Sequence, residues 1–338
     1  MKKSLNRCHP IDISVGKELS NLNINKVIVA LSGGADSVAT LCALRKAGCR
    51  VKALHCNFHL RKEESNRDMD FVKKLCLDLE VPLEIAEFNI DEYRVGRKGI
   101  SVEMACRDLR HDWFRQRLAE LSFDRIATGH NADDNIETFF LNAFRGSGSR
   151  GLKGMTPDNG IIWRPLLKFH RKDILDYLDD NDLEYVVDSS NLENDYRRNI
   201  LRNQIIPLLK KEWKGFENAM DKTIANLETE NSLIEKIVEE TLSGSVETLT
   251  VRAGKEANVT AATSKQLKTL RVDTVTKFPA PLLLIKRFID PLEPFTTTPQ
   301  EILAAVKANK PHIRRWRLRN GKVFLRNGRL FIEMIHCE

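Results

Sequence analysis

The sequence predicts an α/β protein whose larger domain contains a doubly wound, mostly parallel sheet and whose smaller C-terminal domain is α+β. Short apolar runs typical of buried strands alternate with longer stretches typical of helices, which is the rhythm of repeated βαβ units. Polar segments follow three of the strands, and parallel sheets bind ligands beyond those strand ends. The strands are expected at 27–31, 51–55, 83–88 and 124–128, and the helices at 37–47, 62–80 and 101–121.

The pattern of the first domain continues past Gly151. An apolar segment at 161–167 is followed by a short helix at 171–181 and by an extended, strand-like stretch at 183–187. We place the end of this domain near Gly215. The division gives a catalytic domain over 1–215 and a second domain over 216–338.

The second domain is expected to begin with one amphipathic helix and to end in a small sheet. The helix covers 216–240, whereas 241–280 has weak periodicity and supports no assignment. A capping box with Pro299 at the first helical position predicts a helix from Pro299 to about Asn309. Two Asn-Gly pairs then separate strand-like runs, which predicts a three-stranded meander over 313–335.

Composition narrows the class of protein. A formal charge of +7 and a pI near 9.0 favour a polyanionic partner such as nucleic acid. Seven cysteines without a C-x-x-C pair fit reduced thiols. Because no 18-residue apolar run occurs, we expect no membrane association and a cytoplasmic location.

The turn after the first strand, SGGADS at 32–37, is typical of a phosphate cradle. Its two glycines let backbone N–H groups close on an anion, and the next helix offers its positive N-terminus. The Walker lysine is missing and Asp36 stands in the turn, so we interpret Asp36 as a Mg²⁺ partner and Ser32 and Ser37 as hydroxyl donors to phosphate. An ordinary strand-turn-helix junction is the alternative.

A polar trio, His130, Asp134 and Glu137, follows the fourth strand. If a helix covers this segment, spacings of four and three place the trio on one face, towards the crevice. A solvated acidic face is the alternative, because helix starts attract Asp and Glu. The opposite, buried stripe is expected to contain Ile136, Phe139, Phe140 and Ala143.

Two further segments carry candidate nucleotide ligands. His55 and Asn57 end the second strand, and the single Cys-x-x-His there lacks the second pair of ligands that a metal site needs. Arg107 and Arg110 lie three residues apart near a helix start, where they either meet phosphates or pair with Glu103.

Two loops suit contact with a phosphodiester chain. The segment 145–154 places four glycines among cations, and the polar segment 188–191 leads into a basic helix start at 196–202.

In order and spacing these motifs resemble the tRNA(Ile)-lysidine synthetase family of N-type ATP pyrophosphatases, whose fold is adenine nucleotide alpha hydrolase-like. The resemblance covers residues 26 to about 215 nearly continuously, and its last three motifs separate this family from other pyrophosphatases of the fold. The motifs are SGGADS, HCNFHLR, EMACRDLR, GHNADDNIET, RGSGSRGLKGM, RPLL and DSSNLENDYRRNILRNQIIP.

The resemblance implies ATP-dependent ligation of free L-lysine to C2 of the wobble cytidine, position 34, in the CAU anticodon of tRNA(Ile). The reaction runs through an adenylated cytidine to lysidine, AMP and diphosphate, and it switches codon recognition from AUG to AUA. ATP and Mg²⁺ are the implied cofactors, and a homodimer is compatible with the resemblance. By matching position, the nucleotide site contains Ser32, Gly33, Gly34, Ala35, Asp36, Ser37, His55, Asn57 and Arg107. The implied metal ligand is Asp36, and the implied catalytic residues are Asp36, His130, Asp134, Glu137 and Arg202.

Two positions depart from the family pattern. Asn131 stands where a second histidine is common, and Asn135 stands where glutamine is usual. The nearest alternative is a related enzyme that inserts sulfur into tRNA, but such enzymes typically need paired cysteines. A non-catalytic RNA-binding protein would explain the basic C-terminal region but not Asp36 beside two glycines.

The C-terminal end is expected to bind tRNA. From 302 to 332 there is no Asp or Glu, whereas nine residues are Lys or Arg. So many cations repel one another unless a polyanion neutralises them, although a solvated basic sheet face is the alternative. In the first predicted strand, arginines share one face and apolar residues pack inward: Arg315, Arg317 and Arg319 alternate with Trp316 and Leu318.

Overall fold

In the computed structural model the chain divides into two compact units, Met1–Glu228 and Thr229–Glu338. The division falls inside one long helix, Phe216–Ser245. The structure describes residues 9–60, 62–97, 99–187, 196–252, 264–294, 297–308 and 314–334. Within these residues no helix is both long and apolar enough to cross a membrane.

Five parallel strands form the sheet of the first unit, in the order β3-β2-β1-β4-β5. Because β2 and β4 lie on opposite sides of β1, the strand order reverses between β1 and β4, which is where doubly wound sheets bind ligands. The four strands expected from the sequence are confirmed. The strands are β1 Lys26–Ala30, β2 Arg50–Asn57, β3 Leu83–Glu87, β4 Arg125–Ala127 and β5 Ile162–Trp163.

Helices cover both faces of this sheet, as predicted for a doubly wound fold. Alternate side chains of β1 enter two cores: Val27 and Val29 pack with α1, α2 and α8, whereas Ile28 packs with Phe114 of α5. The helices are α1 Pro10–Leu22, α2 Ala35–Lys46, α3 Lys62–Asp78, α4 Ile90–Arg94, α5 Val102–Leu121, α6 Ala132–Phe144, α7 Ser149–Leu152, α8 Arg171–Asp180, α9 Tyr196–Ile200, α10 Ile206–Glu212 and α11 Phe216–Ser245. A π-helical turn, Leu201–Ile205, joins α9 to α10.

The segment 183–187 forms no strand, so this part of the predicted pattern is wrong. The Val186 N–H donates to the Gly33 carbonyl at 2.9 Å, and the Val186 side chain lies against the turn after β1. The Val186 N–H thus finds its hydrogen-bond partner in the turn after β1 and not in a neighbouring strand.

The second unit contains an antiparallel sheet in the order β6-β7-β10-β9-β8. The predicted meander is confirmed, and Asn327 and Gly328 both have positive φ (48° and 68°), as the tight turn between its last two strands requires. The elements are β6 Val246–Arg252, β7 Ser264–Arg271, α12 Val272–Lys277, α13 Pro281–Ile289, α14 Thr298–Ala308, β8 Arg314–Leu318, β9 Gly321–Arg326 and β10 Arg329–Met334. Helix α14 therefore starts one residue before the expected position, and Asn309 lies outside the described residues.

A cluster of charges joins four helices of the first unit. His170, just before α8, is 2.9 Å from Asp221 of α11 and 3.4 Å from Asp133 of α6. Lys210 of α10 bridges Asp133 at 2.7 Å and Glu217 of α11 at 2.5 Å. The hydrogen bond to Asp133, with further help from Asp221, raises the pKa of His170 to about 9. The imidazolium is therefore the form that this packing favours at neutral pH.

Gly129 allows the ends of β1 and β4 to meet. It follows β4, and a Cβ at this position would lie 2.8 Å from the Asp36 carbonyl carbon and 2.9 Å from the Ser37 nitrogen. Backbone atoms at those distances would have to move, so the contact exists only because residue 129 has no side chain.

We expect Gly129→Ala to lower the free energy of unfolding by roughly 1–3 kcal/mol, because the methyl group overpacks backbone. The matched control is Gly16→Ala in α1, where no heavy atom lies within 4 Å of the added Cβ. This control should stabilise the protein by roughly 0.5–1 kcal/mol. Urea unfolding of both variants checks the pair, and an equal response of the two would contradict the close approach.

We expect the His170 cluster to make stability depend on pH. Because the pKa of His170 is raised in the folded chain, its stabilisation is complete below about 6.5 and is lost as the pH rises through about 9. The unfolding free energies of the wild type and His170→Gln should therefore differ by on the order of 2 kcal/mol at pH 6 and converge near pH 10. A difference that stays constant over this range would show that His170 is not charged in the fold.

Candidate active site

The turn after β1 is a closed loop organised by the Ser37 hydroxyl. This oxygen accepts the N–H groups of Ser32 and Gly33, both at 3.2 Å, and donates to the Gly34 carbonyl at 2.9 Å. Gly33 has φ +93°, and a Cβ there would lie 2.9 Å from the Val186 side chain. Both the dihedral and the space therefore require glycine. Ser37 is buried within the loop, whereas Ser32 is exposed.

The N-terminus of α2 is open to an anion. Its N-cap residue is Gly34, and none of the described side chains caps it. In contrast, Ser101 caps α5 and Asn131 caps α6. The first N–H groups of α2 therefore keep their hydrogen-bonding capacity and the positive end of the helix dipole for a ligand. This end of α2 lies at the reversal of strand order, where doubly wound sheets bind their ligands.

Asp36, in the first turn of α2, is held by two side chains. Arg171 donates to its Oδ2 at 2.5 Å, and Asn131 donates to its Oδ1 at 3.2 Å. A single carboxylate beside a phosphate cradle suits Mg²⁺, which is commonly bound by one or two carboxylates and by substrate phosphates. The residues therefore fit the ion, with Asp36 as its protein ligand. In the structure the guanidinium of Arg171 supplies the opposite charge.

A buried carboxylate, Glu137, fixes two arginines. Its side chain is only 3% exposed, and it accepts from Arg198 Nε at 2.7 Å and from Arg202 Nε at 2.6 Å. Arg202 also donates to Asp134 at 2.8 Å. Arg198 lies on α9 and Arg202 on the π-helical turn, a form of helix that recurs at functional sites. The predicted residues Asp134, Glu137 and Arg202 are thus in direct contact.

The pKa of Asp134 is raised and the pKa of His130 is lowered relative to their ordinary values. Burial, and next the neighbouring Glu137, raise the pKa of Asp134 to about 6. Burial also lowers the pKa of His130 to about 4, which leaves the imidazole neutral at pH 7. Surrounding arginines add to the shift of His130: Arg164, Arg198, Arg110 and Arg107. Four arginines around one neutral imidazole, one of them paired with Glu137, favour an anionic ligand.

The helix predicted to carry His130, Asp134 and Glu137 begins only after His130. Helix α6 begins at Ala132, so His130 precedes it and does not share its face with Asp134 and Glu137. His130 is held instead by Thr128, whose hydroxyl lies 2.8 Å from Nδ1. On the opposite stripe Ile136 is buried and Phe139 and Phe140 are partly buried, but Ala143 is exposed, so the expectation for Ala143 is wrong.

The two positions that depart from the family pattern both have structural partners. Asn131 is buried and forms a capping box with Asp134, while its amide reaches Asp36. Asn131 therefore connects the turn at 32–37, which we call the phosphate loop, to helix α6, which we call the acidic helix. The Asn135 side chain accepts the Met155 N–H at 2.7 Å and so fixes the chain just after the glycine-rich loop.

Of the remaining predicted ligands, His55 and Asn57 bond to the protein, whereas Arg107 is exposed. His55 is buried, with Nδ1 2.8 Å from the Leu31 carbonyl, and burial lowers its pKa. Asn57 is buried and accepts the His59 N–H at 2.9 Å. Arg107 is exposed; burial, and next the charge of Arg107, lower the pKa of the Arg164 guanidinium. The predicted loop at 188–191 lies outside the described residues.

Two possible metal groups do not fit a metal ion. At the Cys-x-x-His segment, His59 pairs with Glu87 at 3.0 Å. Among the described residues, Asp133, His170 and Glu217 lie close enough together to share an ion. Because Lys210 bridges its two carboxylates and the imidazole is protonated, this group already carries its compensating cations.

Sequence reasoning missed Arg171, the direct partner of Asp36. One signal was present: Arg171 is the first residue of α8, where a basic side chain opposes the helix dipole. A basic residue at a position that the helix dipole disfavours suggests that its side chain pairs with an acidic group elsewhere in the chain. Arg198 belongs to the basic segment 196–202, which the sequence predicts as one RNA-contacting segment. The sequence does not indicate that Arg198, rather than Arg197, enters the site.

Comparison with known proteins supports these assignments of fold. The sequence pattern of the PP-loop domain family matches residues 9–209. The U34-tRNA thiolase NcsA from Methanococcus maripaludis has a similar structure, with a TM-score of 0.54 and 21% sequence identity over 64% of this chain and 78% of that chain. At that identity the likeness concerns the fold alone.

Curated relatives with the name tRNA(Ile)-lysidine synthase are more similar in sequence. The protein from Bacteroides thetaiotaomicron is 43% identical over 226 residues, covering 67% of this chain and 53% of the relative. The protein from Porphyromonas gingivalis strain W83 is 47% identical over 216 residues, covering 63% and 47%. This chain thus spans about half the length of the curated relatives it matches. The family match over most of the first unit, together with the strand order and the SGGADS turn, shows that the chain belongs to the PP-loop family.

Proposed function

We propose that the chain ligates free L-lysine to C2 of the wobble cytidine in the CAU anticodon of tRNA(Ile), with ATP converted to AMP and diphosphate. The observation that carries the proposal is one crevice with two kinds of receptor. An open helix N-terminus beside Asp36 suits a triphosphate, and the cluster of Asp134, Glu137 and Arg202 suits an amino acid. Asn131 bonds to both Asp36 and Asp134. The names of the curated relatives support the same reaction.

The proposed chemistry begins at the cytosine carbonyl. Its oxygen is a poor leaving group, so O2 attacks the α-phosphate of ATP, which expels diphosphate and leaves an adenylated cytidine. The α2 N-terminus and the loop at 32–37 hold the departing charge. A Mg²⁺ ion on Asp36 would supply additional neutralisation of the phosphates.

The second step needs a neutral amine. The lysine ε-ammonium must lose a proton before it displaces AMP at C2, and its reference pKa lies roughly 3 units above neutral pH. Asp134, with a pKa near 6, is the better proton acceptor, because His130 has a pKa near 4. We therefore assign Asp134 as the base or the ammonium ligand, and His130 as a neutral contact.

Glu137 has a different proposed role from Asp134. Because both of its oxygens accept from arginines, it orients the guanidinium groups of Arg198 and Arg202. Such fixed, always-charged forks suit the carboxylate of the lysine substrate or the phosphate of the adenylated base.

The RNA partner fits the charge of the chain. The formal charge of +7 and the basic strands of the second unit favour a polyanion, and we propose tRNA(Ile) as that partner in the cytoplasm. The alternative, insertion of sulfur, is less supported, because the sequence contains no C-x-x-C pair.

We expect diphosphate release to require ATP and tRNA, and lysidine formation to require lysine as well. Asp36→Asn should lower diphosphate release by at least about 100-fold, since it removes the charge that faces the phosphates. Asp70→Asn in α3, an exposed acid, is the matched control and should change neither step. A folded Asp36→Asn variant with normal release would contradict the proposed site.

We expect Asp134→Asn to impair the use of lysine more than the binding of ATP. Loss of a proton acceptor should lower kcat by roughly 100-fold or more, with nucleotide affinity unchanged. In the wild type the rate of lysine transfer should rise with pH through about 6, where Asp134 ionises, and the variant should lack this step. Steady-state kinetics with lysine and ATP varied separately measure both effects. Equal weakening of lysine use and ATP binding would move Asp134 to the nucleotide side.

A further inference from the structure

We infer that the outward face of the antiparallel sheet in the second unit is a platform on which unpaired RNA nucleotides stack. The inference deepens the proposed function and rests on it for the assumption that RNA is the substrate. It adds a specific surface, two aromatic side chains and a preference for unpaired over paired nucleotides.

Strand register defines the platform. Arg315 of β8, Phe324 of β9, Phe331 of β10 and Thr269 of β7 lie directly opposite one another in successive strands. Directly opposed residues share a face of the sheet, and so do residues two apart on one strand. The intervening residues, including Val323, Leu330 and Ile332, are buried in the core of the unit. The row that contains the phenylalanines therefore lies on the face opposite that core, where Phe324 and Phe331 are partly exposed and Thr269 is fully buried.

Two aromatic rings stand at the centre of this face. Phe324 and Phe331 stack with ring centroids 4.8 Å apart and planes 7° from parallel, and both are only half-buried. Apolar rings on an outward face gain little from the protein core. Their flat surfaces offer a stacking partner to a nucleobase, which binds aromatic side chains without sequence preference.

Cations surround the two rings. Neighbouring rows lie about 7 Å away along the strands, a distance comparable to the spacing of phosphates in an extended strand. Six basic residues occupy these rows and the phenylalanine row, against two acids, Glu247 and Glu333. Glu247 pairs with Arg329. The six are Arg271, Arg315, Arg317, Lys322, Arg326 and Arg329.

A cavity continues the platform at one end. Its volume is about 550 Å³, and Arg271 and Arg329 of the basic row line it together with Lys307 of α14 and the turn at Asn327 and Gly328. Asp273 also lines the cavity, so three cations face one carboxylate, and the excess of positive charge suits a phosphate group. A strand that crosses the rings can therefore place its next phosphate or nucleotide there.

The arrangement favours unpaired nucleotides over a duplex. In an A-form helix the bases stack on one another, so a protein reaches mainly phosphates and 2′-hydroxyls. A duplex would offer no unstacked base to the pair formed by Phe324 and Phe331. Proteins commonly bind single-stranded nucleic acids by combining positive charge, which binds the phosphates, with aromatic side chains on which the bases stack.

The test measures binding of the full chain to RNA with neither ATP nor lysine present, so the ligation chemistry does not enter. The probes are an oligocytidylate of roughly ten nucleotides and a duplex of the same length. We expect the Phe324→Leu/Phe331→Leu variant to bind the single strand about tenfold more weakly, with an unchanged salt slope and unchanged duplex binding. The Arg315→Gln/Arg317→Gln variant should lower the salt slope by about 0.7 for each phosphate that the protein no longer neutralises.

Two controls keep the test decisive. Arg45→Gln/Arg50→Gln removes two exposed arginines from the first unit, at the amino-terminal end of the parallel sheet, and should leave both affinities unchanged. Phe331→Tyr keeps the ring and should bind like the wild type, which gives a readout even if the double leucine variant does not fold. Tighter binding of the duplex, or single-strand binding that is insensitive to the removal of both rings, would overturn the platform. Failure of lysine transfer with intact single-strand binding would count against the proposed function alone.

Discussion

The hydrogen bond from Asn131 to Asp36 joins the turn after β1 to helix α6, the two parts of the candidate site. Its formation depends on the strand order of the first unit and on one glycine. Asp36 begins the helix after β1, and Asn131 caps the helix after β4. These two strands are neighbours only because the order of the sheet reverses there. Their ends approach closely only because Gly129 has no side chain. One amide thus places the phosphate loop and the acidic helix at hydrogen-bonding distance.

Electrostatics then decides what this crevice can hold. Burial, and next the surrounding arginines, depress the pKa of His130, and Arg171 pairs with the carboxylate that a magnesium ion would bind. Both features are compatible with the proposed ligand, a nucleoside triphosphate that would bring its own counterion. Arriving phosphates would satisfy the arginines, and the accompanying cation would compete with Arg171 for Asp36. In the structure the ion pair holds the partly exposed Asp36 carboxylate in place and compensates its charge.

The sequence predicted those features that depend on neighbouring residues. Alternation of apolar and helical segments located β1 to β4, and the SGGADS turn identified the ligand-binding edge of the sheet. The pair of Arg171 and Asp36 could not be predicted, because it joins residues 135 apart in sequence. Strands β6 and β7 were missed since few of their side chains enter the core. His130 was placed on a helix because periodicity does not reveal that Asn131 caps it.

Asp134 and Glu137 show why the motif alone could not assign roles. They lie three residues apart on α6, so the sequence treats them as equivalent acids. In the structure, Glu137 has both oxygens bound by Arg198 and Arg202 and is almost fully buried, so a substrate ammonium would have to displace an arginine to reach it. Asp134 accepts from the Asn131 backbone with one oxygen and from Arg202 with the other, but its side chain is more exposed than that of Glu137 (16% against 3%), and burial and the neighbouring Glu137 raise its pKa. Two carboxylates whose environments differ in this way divide the work: one holds positive charge in position, and the other remains able to exchange a proton.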